Sequence, residues 1–229
     1  MPKELILMPD RLLAELSRHV SGTVLTGDDA AGSLRTGLWN GTGNTRTLAA
    51  VQCLSENDVQ IAVQIASDRH VSVSALGGGH DWTARSVCRD GITLDLRRLN
   101  RAHADRQGAT MTIEGGAIVQ NVLDQLPDDM AFVAGVHSQV GVAGLTLGGG
   151  YGKLNSRFGL ATDNLTRARV VLADGTIVDA SPDEYSDLFW ALRGAGKNFA
   201  ILVSAEFNLF PLDEVLESVR FILNHTLHV

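Results

Sequence analysis

The chain has 229 residues, 45% of them hydrophobic and 20% charged, enough to bury a sizeable core as one large domain or two lobes, and nothing in it reads as disorder. Its formal charge of -7 comes with no long basic run, which argues against nucleic acid as the main partner. Two cysteines, Cys53 and Cys88, form neither a disulfide framework nor a zinc spacing and read as ordinary thiols.

The opening stretch, MPKELILMPDRLLAELSRHV, mixes charges into its apolar residues. RLLAELSRHV within it has the leucine spacing of a helix. Neither a signal peptide nor a membrane span is readable there, so a cytoplasmic protein with no membrane partner is the expectation. ENDVQIAVQIASDRH, opened by the capping residues Ser55 and Asn57, predicts a helix ending near His70. VSVSAL then reads as a buried strand, GITLDLRRL and ATMTIEGG as two more, and AIVQNVLDQL as a helix starting just after Gly116.

Further on, RARVVLADGTIVDAS reads as two apolar strands joined across Asp174 and Gly175. SPDEYSDLFWALRGAG predicts a helix with Ser181 as N-cap, Pro182 at the first helical position and Gly194 as terminator. FAILVSAEFNLF alternates into a last strand. The whole predicts an α+β fold: a small α/β lobe over roughly residues 1–105, and an antiparallel lobe with covering helices over roughly 106–212.

Glycine is the unusual component. There are 24 glycines against five prolines, and many fall in two clusters, residues 77–79 and the stretch GVAGLTLGGGYG at 141–152. Each follows a β-like run. Glycine costs conformational entropy on folding, so clustering asks for a reason, such as positive φ or the close approach of another group. Consecutive backbone amides in such a turn form a concave anion site, and the missing Cβ lets a phosphate approach. Neither GxGxxG nor GK[ST] is present at the first cluster, so a diphosphate on another scaffold is the reading that remains. His80, directly after Gly79, fits several roles: phosphate ligand, base, alkylated cofactor anchor, or structural cap of the turn. No metal is expected, because no second ligand besides Asp81 stands near it at ligand spacing.

Five stretches occurring in order, VSVSALGGGHDW, GITLDLRRL, VGVAGLTLGGGYGKLNSRFGLATDNL, ARVVLADGTIVDAS and DLFWALRGAGKNFAILVSAEFNLFPL, together resemble a known family. It is the FAD-binding, PCMH-type domain of the vanillyl-alcohol oxidase and p-cresol methylhydroxylase flavoproteins, in the berberine-bridge-enzyme-like branch. The resemblance covers roughly residues 45–212. It implies a two-lobed domain that binds FAD and serves an oxidoreductase, which takes hydride from an alcohol, sugar or amine carbon.

Carried over residue by residue, the resemblance implies that Leu76, Gly77, Gly78, Gly79, His80 and Asp81 form the loop that holds the FAD diphosphate. It also implies that His80 bonds covalently to the 8-methyl carbon of the isoalloxazine. Val140, Gly141, Val142, Gly144, Leu145 and Thr146 match the second loop along the dinucleotide, continued by Gly149, Gly150, Tyr151 and Gly152. Asp163 and Asn164 match the segment anchoring this lobe, and Val203 matches a position meeting the adenine end through its backbone. Some members of the branch carry a second covalent bond, from a cysteine three residues before the VG motif. His137 stands there in this chain, so attachment through His80 alone is implied, with His137 left to hydrogen-bond the flavin or to act as polar filler.

In the family the catalytic base and substrate cavity belong mainly to a second domain, and a C-terminal YxN segment often supplies the base. No such segment occurs here. Tyr151 and Tyr185 are the only tyrosines, and both lie in cofactor-lobe motifs. No base is assigned. The expected organisation is an N-terminal segment at 1–44, the FAD-binding domain at 45–212, and the start of a substrate domain at 213–229. Two readings follow: the FAD lobe of an oxidoreductase, as a fragment or as one half completed by a separate chain, or a truncated, catalytically silent flavin-binding module.

Overall fold

The computed structural model of the protein describes residues 3–41 and 45–213. The first part of the chain forms α1 (Lys3–His19), β1 (Thr23–Leu25), α2 (Gly27–Arg35), β2 (Ala49–Gln52), α3 (Glu56–Asp68), β3 (Val73–Leu76) and β4 (Ile92–Asp95). Their strands make one sheet in the order β1-β2-β4-β3, in which β2, β4 and β3 run parallel and β1 is antiparallel to β2. Parallel strands of one sheet require a crossover about a dozen residues long, and α3 supplies it between β2 and β3, which flank β4 on either side. Its apolar stripe of Val59, Ala62, Val63 and Ala66 is buried with Leu12 and Leu16 of α1 and with Val51, Ile92 and Leu94 of the sheet.

Ser55 is the N-cap of α3, its Oγ accepting from Asp58 N at 3.2 Å, whereas Asn57 lies inside the helix. The buried Asp58 carboxylate accepts from Ser21 N at 2.7 Å and Leu54 N at 2.8 Å. A desolvated carboxylate is tolerated because two backbone donors replace its water. It thereby ties the turn after α1 to the start of α3.

The rest of the chain forms β5 (Ala102–Asp105), β6 (Thr110–Glu114), α4 (Val119–Leu123), β7 (Met130–Ala131), α5 (Val142–Thr146), α6 (Asn155–Phe158), β8 (Leu165–Val171), β9 (Ile177–Ala180), α7 (Ser186–Ala195), β10 (Ile201–Asn208) and β11 (Phe210–Pro211). Five strands make an all-antiparallel sheet in the order β5-β6-β10-β8-β9, and β7 pairs with β11. One face of this sheet buries Met111, Ile113, Ala205 and Phe207 against Val119, Val122, Val142, Phe189 and Leu192 of the helices. Phe132 meets Phe207 edge to face at 5.4 Å, the arrangement that ring quadrupoles favour. The class is α+β.

Several expectations change in detail. β5 is not among the strands read from sequence, and it belongs to the five-stranded sheet, so sheet membership changes between Asp95 and Ala102 rather than near residue 105. β1, within the N-terminal segment, pairs with β2. The strand read as GITLDLRRL ends at Asp95, where Leu99 N closes a turn onto Leu96 O. Ser181 does not cap α7. Its Oγ accepts from Asp183 N and Glu184 N in a turn of its own, and Tyr185 at φ 47° interrupts the chain before the helix begins at Ser186. Gly194, at φ 121°, breaks helical geometry near the expected end. Apart from Asp213, the segment expected to open a further domain lies outside the described residues.

The two sheets are clasped together. The β8–β9 hairpin turns at Gly175, φ 84°, with Thr176 N donating to Asp174 Oδ1 at 2.8 Å. Gln60 of α3 donates from Nε2 to Gly175 O at 2.9 Å, and Arg169 of β8 pairs with Glu56 of α3 at 2.7 Å. Within the five-stranded sheet, Gly115, just beyond β6, donates to Val203 O of β10 at 2.9 Å.

Candidate cofactor site

The first glycine loop leaves the end of β3, and Leu76 anchors it by accepting from Leu96 N at 2.8 Å. Gly79 has φ 67°, and a Cβ there would run into the Gly37 carbonyl oxygen. Its own carbonyl accepts from Trp39 N at 3.1 Å. A Cβ on Gly78 would lie 2.6 Å from Gly141 Cα in the second loop. Glycine is thus demanded at 78 and 79 by neighbouring backbone, before any ligand is considered. The second loop meets the first at Gly141, which immediately precedes α5.

Between the loops lies a cavity of about 930 Å³. Eleven of the expected loop residues line it: Gly77, Gly78, Gly79, His80 and Asp81 from the first loop, with Val140, Gly141, Gly144, Leu145, Gly150 and Tyr151 from the second. The others stand behind or beside that wall. Leu76, Val142 and Thr146 are fully buried, Val203 packs in the core with α3, and its carbonyl is occupied by Gly115 N. Gly149 takes a φ of 105°, and Gly152 N donates to Asn155 Oδ1 at 2.6 Å. His137 is exposed, its ring centroid 5.2 Å from that of His80. Asp163 and Asn164 brace the second loop's exit: Asn164 Nδ2 donates to Phe158 O and Leu160 O, and Asp163 accepts from Leu160 N and Arg193.

His80 Nδ1 lies 3.0 Å from Gly78 O, while Nε2 is buried without a hydrogen-bond partner. Trp39 stacks beside the ring at 6.1 Å and 25°. Asp81 accepts from Thr83 N and Oγ1 and pairs with Arg85 at 3.1 Å. Burial raises the pKa of Asp81, but the Thr83 hydrogen bonds and the Arg85 hydrogen bond and charge outweigh it, so its carboxyl sits below the ordinary value. With Asp81 and Arg85 cancelling, the remaining full charge among the lining residues is Lys197. It forms no ion pair among the described residues and lies along Gly148, where a Cβ would be 3.2 Å from its Nζ.

The cavity also recruits residues that the motif reading did not single out, notably Trp39, Arg85, Gly115, Lys197 and Leu202. The family model described as an FAD binding domain matches residues 47–181, which include both loops. The chain belongs to this FAD binding domain family.

Its relatives include oxidases. (R)-6-Hydroxynicotine oxidase from Paenarthrobacter nicotinovorans is 36% identical over 206 residues, 90% of this chain and 44% of that protein. The structure of xylooligosaccharide oxidase from Myceliophthora thermophila superposes with a TM-score of 0.81 at 30% identity, covering 89% of this chain and 43% of that one. Glucooligosaccharide oxidase from Acremonium strictum, described with a 6-S-cysteinyl, 8α-N1-histidyl FAD, has a TM-score of 0.78 at 35% identity, covering 87% and 42%. The chain therefore spans under half the length of these relatives. Among the described residues, no helix is long and apolar enough to cross a membrane.

The residues present fit FAD. Two loops of small residues bound the cavity, the one unbalanced full charge on its wall is positive as a diphosphate requires, and an imidazole nitrogen without a partner stands at the end of the first loop.

Proposed function

We propose that this chain is the cofactor-holding half of a flavin-dependent oxidase or dehydrogenase in the berberine-bridge-enzyme-like branch. FAD, bound covalently through His80, would supply the two-electron acceptor for hydride from an alcohol, sugar or amine carbon. The observation that carries the reading is His80, seated at the end of the Gly77–Gly79 loop on the cavity wall with Nε2 unpartnered. In this reading the amides of Gly77, Gly78 and Gly79 bind the diphosphate, with Asp81 fixing the turn behind His80. Val140, Gly141, Gly144, Leu145 and Gly150 contact the dinucleotide, and Leu76, Val142, Thr146, Gly149, Gly152 and Val203 hold the loops in place from behind. His137 hydrogen-bonds the flavin and, lacking a thiol, leaves His80 as the single attachment. A cytoplasmic location belongs to the same proposal and is supported by Cys53 and Cys88 being free thiols.

Turnover would need a covering domain, whether on the same polypeptide or on a separate chain. Trp39 and Tyr151 both line the cavity while remaining 64% and 76% exposed, a rim that a substrate domain would dry. That exposure also favours the second reading, a flavin-binding module that is catalytically silent alone, since Tyr151 has no dry pocket in which to act as base. The test is the absorbance spectrum of purified protein before and after acid precipitation. Flavin retained by the precipitate is expected, and colourless precipitate would overturn covalent attachment. Reduction of that flavin by a sugar or amine in the absence of oxygen would separate the active from the silent reading.

A further inference from the structure

The first glycine loop is held from outside by a short stretch of chain, residues 37–40, that follows α2. Trp39 N donates to Gly79 O at 3.1 Å, Asn40 Nδ2 donates to Trp82 O at 2.6 Å, and the Gly37 carbonyl stands where a Cβ on Gly79 would be. Leu38 is buried in one cluster with Leu76, the residue from which the loop departs. In a trans peptide the C=O and N–H point opposite ways, so the bond from Trp39 also fixes the direction of the His80 amide. The loop's last peptide is therefore placed by the way this stretch leaves α2.

The end of α2 is set in turn by a side chain from another element. Thr36, Gly37 and Leu38 N close onto Gly32, Leu34 and Arg35 O, whereas Ser33 O takes side-chain donors, Thr36 Oγ1 at 2.8 Å and Arg97 Nη2 at 3.0 Å. Carbonyls in the last turn of a helix need such outside partners. Arg97 lies just beyond β4, and its guanidinium is aimed by a fork onto Asp95, Nε to Oδ1 at 2.8 Å and Nη2 to Oδ2 at 2.6 Å. The Asp95 carboxylate is buried, and a Cβ on Gly37 would run into Arg97 Nη1. Sheet, guanidinium and helix end thus form one unit.

We infer that Arg97 is a positioning residue of the cofactor site: aimed by Asp95, it sets residues 37–39 and, through them, the Gly79 peptide of the first loop. The inference rests on the reading that FAD fills the cavity between the loops. Arg97 is outside the cavity lining, so it acts only through the chain it holds. A loop already ordered binds its ligand without the cost of ordering, so loss of this brace weakens cofactor binding.

The test is Arg97→Lys in the full chain. An ammonium keeps its charge beside Asp95 but lacks the fork that reaches Asp95 and Ser33 together. In the flavin-free variant, amide exchange followed by NMR is expected to quicken about tenfold at Trp39, while the amides of α3 and β10 keep their rates. In the His80→Ala background, where FAD binds reversibly, the same substitution is expected to raise the Kd for FAD about fivefold. A merely structural role would quicken α3 and β10 together with Trp39, and that outcome would overturn the inference. An unchanged Kd would overturn it too, while leaving the cofactor reading standing. No FAD binding by the parent protein would overturn both. Should Arg97→Lys fail to fold, the pair Asp95→Asn with Arg97→Gln, which leaves no buried charge alone, is read in the same way.

Discussion

Gly78 and Gly141 stand backbone to backbone, so that a Cβ on Gly141 would lie 2.5 Å from Gly78 N and one on Gly78 would lie 2.6 Å from Gly141 Cα. The two glycine-rich loops are therefore a joint of the protein as well as a surface for a ligand, and the two roles separate by mutation. Gly78→Ala is expected to destabilise the flavin-free protein by about 3 kcal/mol, lowering Tm by about 10 °C. Gly144 also lines the cavity but has open space at its Cβ position and lies within α5. Gly144→Ala should leave the flavin-free Tm unchanged or raise stability by up to about 1 kcal/mol, while weakening FAD binding. Thermal melts with and without FAD check both; equal behaviour of the two variants would show that the loops serve only one role.

His80→Ala removes the only candidate anchor. The expected outcome is loss of acid-stable flavin, with FAD still binding reversibly, read by dialysis and fluorescence. Acid-stable flavin in that variant would place the attachment elsewhere.

Lys197 is the unbalanced charge on the cavity wall. Lys197→Gln in the His80→Ala background should raise the Kd for FAD about threefold, as the loss of one exposed charge contact of about 0.6 kcal/mol would, and should flatten its salt dependence. Titration at two ionic strengths measures both. An unchanged Kd would mean that the diphosphate is held by amides alone.

Asp81 has a folded-state pKa below its ordinary value. A depressed carboxyl pKa contributes stability that is present above the unfolded pKa of about 3.9 and is lost as pH falls through the folded value. Asp81→Asn should therefore lower Tm at neutral pH, and the gap to the unsubstituted protein should close on acidification below about pH 4. A gap that persists at low pH would assign the effect to the hydrogen bonds from Thr83 rather than to ionisation.

Local chemistry made much of this fold readable. Ser55 announces α3, Asp174 and Gly175 announce a hairpin, and the β-branched run before Gly77 announces the strand that delivers the first loop. What the sequence does not display is pairing between residues far apart. AHAD at β5 alternates, but over four residues with only alanine at its apolar positions, and it is a strand because β6 lies beside it. The serine at 181 looks like a helix cap, yet its hydroxyl is spent on a nearer turn. At the site, both glycine clusters were legible, but not the reason for Gly78, which is a backbone 63 residues later in the chain. Trp39 and Lys197 carry no motif of their own and reach the cavity only through folding.

The clasp between the β8–β9 hairpin and α3 bears on how a ligand enters. Gln60 holds Gly175 by its carbonyl and Arg169 grips Glu56, two fastenings across the seam between the sheets. Such a seam does not gape like a jaw. Admission to the cavity is then a matter of swinging doors at the rim, the aromatic side chains of Trp39 and Tyr151, set in a frame that stays shut.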